Sequence, residues 1–228
     1  MFRFNTNSIR AMWVRDSVCL ACTCVTAFCL ANFYLPIGTT AQAGKYNTTL
    51  DIGDKAPAWK SLPGTDGKEH SFDAVSDAKV IVVAFTCNSC PYAVDAEDRL
   101  QQLTNTYRDR GVSVIAINVN TVQEDLLPAM KQRAEEKEFS FPYLFDESQE
   151  IAKQFGAKYT PEFFVINQQQ QIVYMGSLDD SPDGREVTKT YVADAIDAVL
   201  AGKQVTVTET VPVGCRIRFA RERRTRKR

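Results

Sequence analysis

An unbroken apolar run followed at once by a segment of helical periodicity restricts the fold of this chain most. Residues 79–85 read KVIVVAF, a β-branched run without polar alternation, which is typical of a strand buried on both faces of a sheet. Over residues 92–107 the apolar side chains recur every three to four positions, which predicts a helix with one buried face, and Gly111 is expected to end it. A buried strand that leads into a helix indicates an α/β architecture.

The same alternation of strands and helices continues along the chain. The further predicted elements are a strand at 112–118, a charged and exposed helix at 125–137, a strand at 143–145, a helix at 151–155, a hairpin at 163–174 and a helix at 192–200. Together they predict one α/β domain over residues 44–205, with a mixed central β-sheet flanked by helices. Residues 206–228 then form a C-terminal extension.

The amino terminus has the pattern of an export signal. Arginines precede an uncharged, largely apolar run at 17–30, and a small-residue pattern, Ala41-Gln42-Ala43, follows it. We therefore predict that residues 1–43 are a signal peptide cleaved after Ala43, and that the protein acts outside the cytoplasm, in the periplasm or an equivalent compartment. The alternative is a membrane anchor formed by residues 17–37, because a bilayer-spanning helix needs roughly 20 residues.

Charge is distributed unevenly between the body and the carboxyl terminus. Residues 44–220 carry 18 basic and 26 acidic side chains, whereas residues 221–228 carry six basic and one acidic. The net charge of the whole chain, −1, argues against a dedicated nucleic-acid binder. The basic tail is either a solvated terminus or a contact for anionic lipid or envelope polymer.

The cysteines indicate redox chemistry more than a disulfide framework. Four of the seven lie in the leader, which leaves Cys87, Cys90 and Cys215 in the predicted mature chain. Three cysteines cannot all pair within one chain. A close pair with one distant thiol is more typical of thiol exchange than of stapling.

The Cys87-x-x-Cys90 pair stands between the buried strand and the helix. Unpaired N–H groups and the dipole at a helix amino terminus favour an anion, so we expect this position to lower the pKa of Cys87. Cys87 is then the nucleophile, and Cys90 is close enough to resolve a mixed disulfide formed on it. The alternatives are half of a zinc site, a Cu(I) site and a purely structural disulfide.

A second feature lies about seventy residues further on. Thr160-Pro161 directly precedes the predicted strand 163–166, and an X-Pro bond in such a place can be cis. Pro161 is expected to shape a substrate groove, and Thr160 to offer its backbone to an incoming chain.

These motifs resemble the thioredoxin superfamily, and within it the peroxiredoxin-like redoxins of the alkyl hydroperoxide reductase and thiol-specific antioxidant (AhpC/TSA) family. The similarity spans residues 50–217. The segments that carry it are FTCNSCPYAVDAEDRL, GVSVIAINVN, FPYLFDESQEIAKQFGAKYTPEFFVIN, IVYMGSLDD and GCRIRF. The resemblance implies a thioredoxin-like fold, with Cys87 and Cys90 as the redox pair and Pro161 as a cis-proline that faces them. It also implies that Cys215 belongs to a recurring Gly-Cys motif.

The sequence departs from the family pattern at two places. Ser89 stands where relatives usually carry histidine, which leaves the direction of electron flow open. Ile81 stands where thioredoxin has a buried aspartate, so no carboxylate is evident for proton transfer to Cys90. Asp95 and Glu97 are interpreted as surface acids.

The family also contains peroxidases, whose motif is P-x-x-x-T-x-x-C. Thr86 directly precedes Cys87 and lies four residues before Cys90, so the spacing fails, and the proline is missing as well. The main hypothesis is therefore a thiol-disulfide oxidoreductase that needs no cofactor, binds no metal and acts with a protein redox partner. A thiol peroxidase is the second hypothesis and a Cu(I) metallochaperone the third.

Two groups of residues outside the pair remain ambiguous. Cys215 is an accessory thiol that relays electrons, bonds a partner or is buried and poorly reactive, and we favour burial because Ile217 and Phe219 follow it. Asp179, Asp180 and Asp183 fit no calcium-binding loop well, so a solvated turn is the simpler interpretation.

Overall fold

The structure is a computed structural model that describes residues 44–220. The predicted signal peptide, its cleavage site, the alternative anchor and the basic tail lie outside these residues. The strands are β1 (Leu62–Pro63), β2 (Glu69–His70), β3 (Val80–Phe85), β4 (Val112–Asn118), β5 (Tyr143–Phe145), β6 (Tyr159–Thr160), β7 (Glu162–Asn167), β8 (Ile172–Gly176) and β9 (Cys215–Arg216). The helices are α1 (Pro91–Tyr107), α2 (Leu127–Glu136), α3 (Glu150–Phe155) and α4 (Tyr191–Leu200).

The central sheet has five strands in the order β5-β4-β3-β7-β8. Strands β3, β4 and β5 run parallel, while β7 is antiparallel to both β3 and β8. The sheet is therefore mixed, and the predicted α/β architecture is confirmed. Strand β3 lies in the middle, and all six of its side chains are buried, as its unbroken apolar sequence predicts.

Helices cover both faces of the sheet. One apolar cluster packs the buried side chains of α1, α2 and α4 against Val80, Val82 and Ala84 of β3. The other packs α3, Trp59 and Phe72 against the opposite face of the same strand. Because neighbouring residues of β3 point to opposite faces, a strand in this position needs apolar residues throughout.

The predicted exposed helix at 125–137 needs a correction. Helix α2 begins only at Leu127, after a 3-10 turn at Gln123–Asp125, and its Met130 side chain is fully buried. Asp125 is fully buried as well, although the sequence places it among charged residues. Four hydrogen bonds to its carboxylate hold it there.

The residues after the last helix run along β8, the edge strand of the central sheet, and then pair with β6. We call residues 206–220 the C-terminal strap. Its first part pairs with Met175 of β8 through backbone bonds, and its second part forms β9, which is antiparallel to β6. Gly176 makes this packing possible, because a Cβ there would lie 2.2 Å from the Thr210 hydroxyl.

Within residues 44–220, none of the helices combines the length and the apolar character that crossing a bilayer requires.

Candidate redox site

Cys87 and Cys90 lie in the loop that joins β3 to α1. Pro91 is the first residue of α1, and Cys90 is its N-cap, with an extended backbone. Pro91 suits that position because the first turn of a helix needs no internal N–H bond. Both cysteines are unbonded thiols, and each is 2% exposed.

The bond between Thr160 and Pro161 is cis, which confirms the expectation from the sequence. Thr160 lies against both sulfurs. Its hydroxyl oxygen is 3.3 Å from the Cys87 Sγ, and its carbonyl oxygen accepts a hydrogen bond of 2.9 Å from the Cys90 thiol. The structure thus brings the pair Cys87 and Cys90 next to the pair Thr160 and Pro161. The two pairs are about seventy positions apart in the sequence.

The two thiols of the pair differ in acidity. The pKa of Cys90 is lowered to about 5, first by a hydrogen bond from Cys87 and then by donors that include the thiol of Cys215 and the backbone N–H groups of Ala93 and Cys215. The Thr160 carbonyl acts in the other direction, since it can bond only to a protonated Cys90. The pKa of Cys87 is raised, because its proton is held in the bond to Cys90 and because it is buried.

These pKa directions differ from the expectation for Cys87, while the roles of Cys87 as nucleophile and Cys90 as resolving thiol stay predictions. Cys87 was predicted to have the lowered pKa, on the argument that the first cysteine lies at the helix amino terminus. The helix instead begins after Cys90. The Cys90 sulfur, and not that of Cys87, therefore accepts the hydrogen bond from the backbone N–H group of Ala93. The two thiols are hydrogen-bonded to each other, so the first proton lost on ionisation belongs to the pair and not to one sulfur.

A buried carboxylate holds the loop between the two cysteines. Asp125 accepts hydrogen bonds from the backbone N–H groups of Asn88 and Ser89, at 2.7 and 2.9 Å, and from the Ser89 hydroxyl at 2.6 Å. The side chain of Asn120 donates a fourth hydrogen bond to the Asp125 carboxylate at 3.1 Å. The side chain of Asn118 donates a hydrogen bond to the backbone carbonyl oxygen of Asp125. We call Asp125 together with Asn118 and Asn120 the Asp125 anchor.

Sequence reasoning missed this anchor. A signal existed: Asn118 and Asn120 stand at the carboxyl end of β4, and β3 beside it ends just before Cys87. The carboxyl ends of parallel neighbours meet at one edge of a sheet, so polar residues there face the loop of the cysteines. Asp125 also raises the pKa of Cys87 through its charge, although its hydrogen bonds go to the loop and not to sulfur.

The other acids near the pair differ in burial. Asp95 is exposed, as predicted, but Glu97 is buried and forms a two-pronged ion pair with Arg133 of α2, at 2.9 and 2.7 Å. The interpretation of Glu97 as a surface acid is therefore wrong. Its carboxylate is engaged in joining α1 to α2.

Cys215 lies in β9, opposite Thr160 in the register of the two strands. It packs against the cluster of Cys87, Cys90 and Ala93 and is half-buried, so the preferred expectation of a buried thiol is only partly met. Its pKa is raised to about 11, mainly by burial and further by the hydrogen bond to Cys90. The strap also covers the backbone edge of Thr160, the place predicted for an incoming chain.

A groove of about 270 Å³ has Pro161 in its wall, together with both apolar and polar side chains. Leu178, Tyr191, Val211 and Val213 contribute further apolar surface.

Asp179 lines the same groove and is buried in an ion pair of 2.6 Å with Arg99, so the interpretation of Asp179 as part of a solvated turn is wrong. Asp180 and Asp183 are exposed, as that interpretation expects. Over residues 44–220, no group of three or more histidine, cysteine, aspartate or glutamate side chains is arranged to hold a metal ion.

Fold and site together define a thioredoxin-fold protein with a dithiol beside a cis-proline. The family model described as AhpC/TSA matches residues 52–175, and the chain belongs to that family. A hypothetical protein of Sinorhizobium meliloti is 34% identical over 76% of this chain and 97% of its own, with a TM-score of 0.71. An uncharacterized conserved protein of Geobacillus kaustophilus is also 34% identical, over 78% and 96%, with a TM-score of 0.73.

More distant structures share the fold. The peroxidoxin BcpB of Mycobacterium tuberculosis is 20% identical over 66% of this chain and 96% of its own, with a TM-score of 0.52. A comparison with curated proteins found no match. The resemblance inferred from the sequence motifs is thus confirmed at the level of family and fold.

Proposed function

We propose that this redoxin is a thiol-disulfide oxidoreductase that exchanges disulfides with protein substrates outside the cytoplasm. The observation that carries the proposal is the position of two free thiols, which lie together at the start of α1 and against the cis Thr160–Pro161 bond, where the pKa of Cys90 is lowered. A thiolate is the reactive form in disulfide exchange. The pair therefore has a reactive sulfur at neutral pH and a second sulfur next to it.

The reaction needs only the electrons of the pair. A thiolate of the pair attacks one sulfur of the substrate disulfide, which forms a mixed disulfide and releases the first substrate thiolate. The second sulfur of the pair then loses its proton and attacks the enzyme sulfur of the mixed disulfide, releasing the second substrate thiolate. The products are a Cys87–Cys90 disulfide and a dithiol substrate, and an oxidised pair runs the same steps in reverse.

The groove beside Pro161 supports a protein substrate. Its apolar wall, which includes the exposed Val211 and Val213, suits side chains next to a substrate cysteine. No cofactor enters the proposed reaction. The partner that restores the pair is a second thiol or disulfide protein.

The proposed location depends on the leader, whose charged, apolar and small-residue regions follow the order of an export signal. Amino-terminal sequencing of the protein recovered from the envelope fraction tests it. A chain that begins at Gly44 supports cleavage, and an intact Met1 contradicts it.

Envelope contact through residues 221–228 is proposed on their charge alone. Deletion of these residues should lower binding to vesicles that contain anionic lipid and leave binding to neutral vesicles unchanged. Equal binding of both forms to anionic vesicles contradicts the contact.

The central test is reduction of insulin disulfides by the pre-reduced protein. Cys87→Ser and Cys90→Ser should each lower the rate by at least about a hundredfold, because neither variant can complete the exchange. Asp98→Asn is the matched control, since that side chain is 89% exposed and takes no part in the proposed exchange. Wild-type protein that leaves insulin oxidised would contradict the proposed function.

Thiol peroxidase is the second candidate because the chain belongs to the AhpC/TSA family and shares its fold with a peroxidoxin. Loss of free thiols on mixing with hydrogen peroxide measures it. A rate no faster than that of an ordinary exposed thiolate leaves disulfide exchange as the function. A rate many orders of magnitude faster, abolished by Cys90→Ser or Cys87→Ser, makes the protein a peroxidase despite the missing motif.

A further inference from the structure

The strap places a third sulfur at the redox pair. Cys215 packs on the cluster that contains Cys87 and Cys90, and it stands opposite Thr160 in the antiparallel pair of β6 and β9. The carbonyl oxygen of the same Thr160 is 2.9 Å from the Cys90 Sγ. Cys90 and Cys215 therefore meet at one residue, although 124 positions separate them in the sequence.

The backbone keeps Cys215 in this place. A Cβ at Gly214 would lie 2.2 Å from the Thr160 carbonyl oxygen, so only glycine allows β9 to approach β6 this closely. On the other side of Cys215, Ile217 is buried in the apolar cluster and donates a backbone bond of 2.9 Å to Lys158. The strap is thus fixed on both sides of Cys215 against residues 158–160, which precede Pro161.

The three cysteines differ in how a partner can reach them. Cys87 and Cys90 are each 2% exposed, whereas Cys215 is half-buried. A partner thiol approaching residues 44–220 as the structure has them can reach Cys215 more readily than either sulfur of the pair. A disulfide between Cys215 and a sulfur of the buried pair would make the oxidised form of that pair accessible to a partner thiol.

We propose that Cys215 is a third redox sulfur, which exchanges into the oxidised pair and forms a Cys90–Cys215 disulfide that an external reducing dithiol attacks. The proposal rests on the proposed function, since it describes how the oxidised pair is recycled. It assigns Cys215 to the return of electrons to the pair.

Each step balances as a thiol-disulfide exchange. The Cys215 thiol loses its proton to solvent and attacks the Cys90 sulfur, which forms the Cys90–Cys215 bond, breaks the Cys87–Cys90 bond and releases Cys87 as a thiolate that takes up a proton. One sulfur of the external dithiol then attacks Cys215, and Cys90 leaves as a thiolate. The second sulfur of the dithiol displaces Cys215, so the dithiol is oxidised and all three cysteines end reduced.

The charges around Cys215 favour this order. After burial, its hydrogen bond to Cys90 and the negative charge there do most to raise its pKa. Both effects vanish when Cys90 enters a disulfide, so Cys215 ionises more readily once the pair is oxidised. In the following step Cys90 is the leaving group, and a thiol of low pKa leaves faster.

Disulfide mapping tests the exchange directly. The full-length chain is fully reduced, oxidised with one equivalent of diamide, quenched with N-ethylmaleimide under denaturing conditions and analysed by non-reducing peptide mapping. We expect a Cys90–Cys215 peptide together with alkylated Cys87 in wild type, and a Cys87–Cys90 peptide alone in Cys215→Ser. If wild type contains only the Cys87–Cys90 peptide, the proposal is wrong.

A second variant guards against misfolding of Cys215→Ser. In Cys87→Ser the pair cannot form, so diamide should link Cys90 to Cys215, and absence of that link also overturns the proposal. Recycling is measured as the rate at which dithiothreitol reduces the oxidised protein, and Cys215→Ser should slow it about tenfold because a buried disulfide is less accessible.

The outcomes separate the two proposals. Equal recycling rates in wild type and Cys215→Ser, with insulin still reduced by wild type, would show that Cys215 has no redox role. They would not affect the proposed function. Wild type that fails to reduce insulin removes the proposed function, whatever the disulfide map shows.

Discussion

The two regions that flank the redox pair hold it in different ways. The Asp125 anchor is charged and fully buried, and its carboxylate accepts four hydrogen bonds from the loop and from Asn120. The C-terminal strap relies on backbone pairing through a two-residue strand, and its Val211 and Val213 side chains are 54% and 41% exposed. One region is an interior support and the other is a surface cover.

This difference indicates a division of work within one site. A buried carboxylate whose bonds are all satisfied fixes the loop, because removing it leaves several donors without partners. A half-exposed strand is easier to displace locally, because it buries few apolar side chains. We therefore expect the anchor to determine stability and the strap to determine how the sulfurs react.

The largest expected effect is on ionisation. Because the pKa of Cys90 is lowered to about 5, reduced protein should contain about a hundredfold more thiolate at pH 7 than an ordinary cysteine with a pKa of 9.0. Absorbance at 240 nm should rise through pH 5 in wild type. A rise that persists in Cys90→Ser and vanishes in Cys87→Ser would show that the low pKa belongs to Cys87 and contradict this expectation.

The same shift has a consequence for stability. A folded-state pKa below the unfolded one contributes stability that is fully present above pH 9 and is lost as the pH falls through about 5. The reduced protein should therefore become more stable from pH 5 towards pH 9, relative to Cys90→Ser. Urea unfolding of both proteins at a series of pH values measures the difference, and parallel curves would contradict it.

Removal of the anchor should cost the most stability. Asp125→Ala leaves donors on Asn88, Ser89 and the buried Asn120 without their acceptor, and we expect the free energy of unfolding to fall by about 3 kcal/mol. Urea unfolding of the reduced protein measures it. Asp98→Ala, at an exposed position, should change stability by less than about 0.5 kcal/mol, and equal effects of the two substitutions would refute the anchor.

Displacement of the strap should cost less stability and change reactivity more. Gly214→Ala places a Cβ against the Thr160 carbonyl, and we expect a loss of about 2 kcal/mol from this overpacking. Because Cys215 then donates less to Cys90, the thiolate absorbance should move to higher pH. Val213→Ala, an exposed neighbour, is the control, and an unchanged titration in Gly214→Ala would show that the strap does not influence Cys90.

The smallest effect should come from a single hydroxyl of the loop. Ser89→Ala removes the 2.6 Å bond to Asp125 but leaves both backbone bonds in place, so we expect a loss of about 1 kcal/mol. Thr106→Ala removes a hydroxyl that bonds only within its own helix, and it should change stability very little. A loss in Ser89→Ala as large as in Asp125→Ala would mean that the backbone bonds contribute nothing.

The local sequence was sufficient for the elements and for the redox pair. The unbroken apolar run of β3, the periodicity of α1 and the spacing of Cys87 and Cys90 are patterns of neighbouring residues, and short-range sterics and burial control them. The hairpin of β7 and β8 and the family resemblance follow from the same kind of signal. The placement of Thr160-Pro161 next to the cysteine pair was inferred only from the resemblance to the family.

Only the tertiary structure decided where the helix begins relative to the two sulfurs and what supports the loop between them. The exact first residue of α1 moved the helix terminus from Cys87 to Cys90, and a shift of a few residues at a helix end lies below what periodicity resolves. Asp125 reaches the site from the 3-10 turn that follows β4, and Cys215 reaches it from the strap, through contacts across 35 and more residues. From the sequence alone, a charged residue next to a helix, such as Asp125, is expected to be solvated. Its burial depends on hydrogen-bond partners that only the folded sheet brings to it.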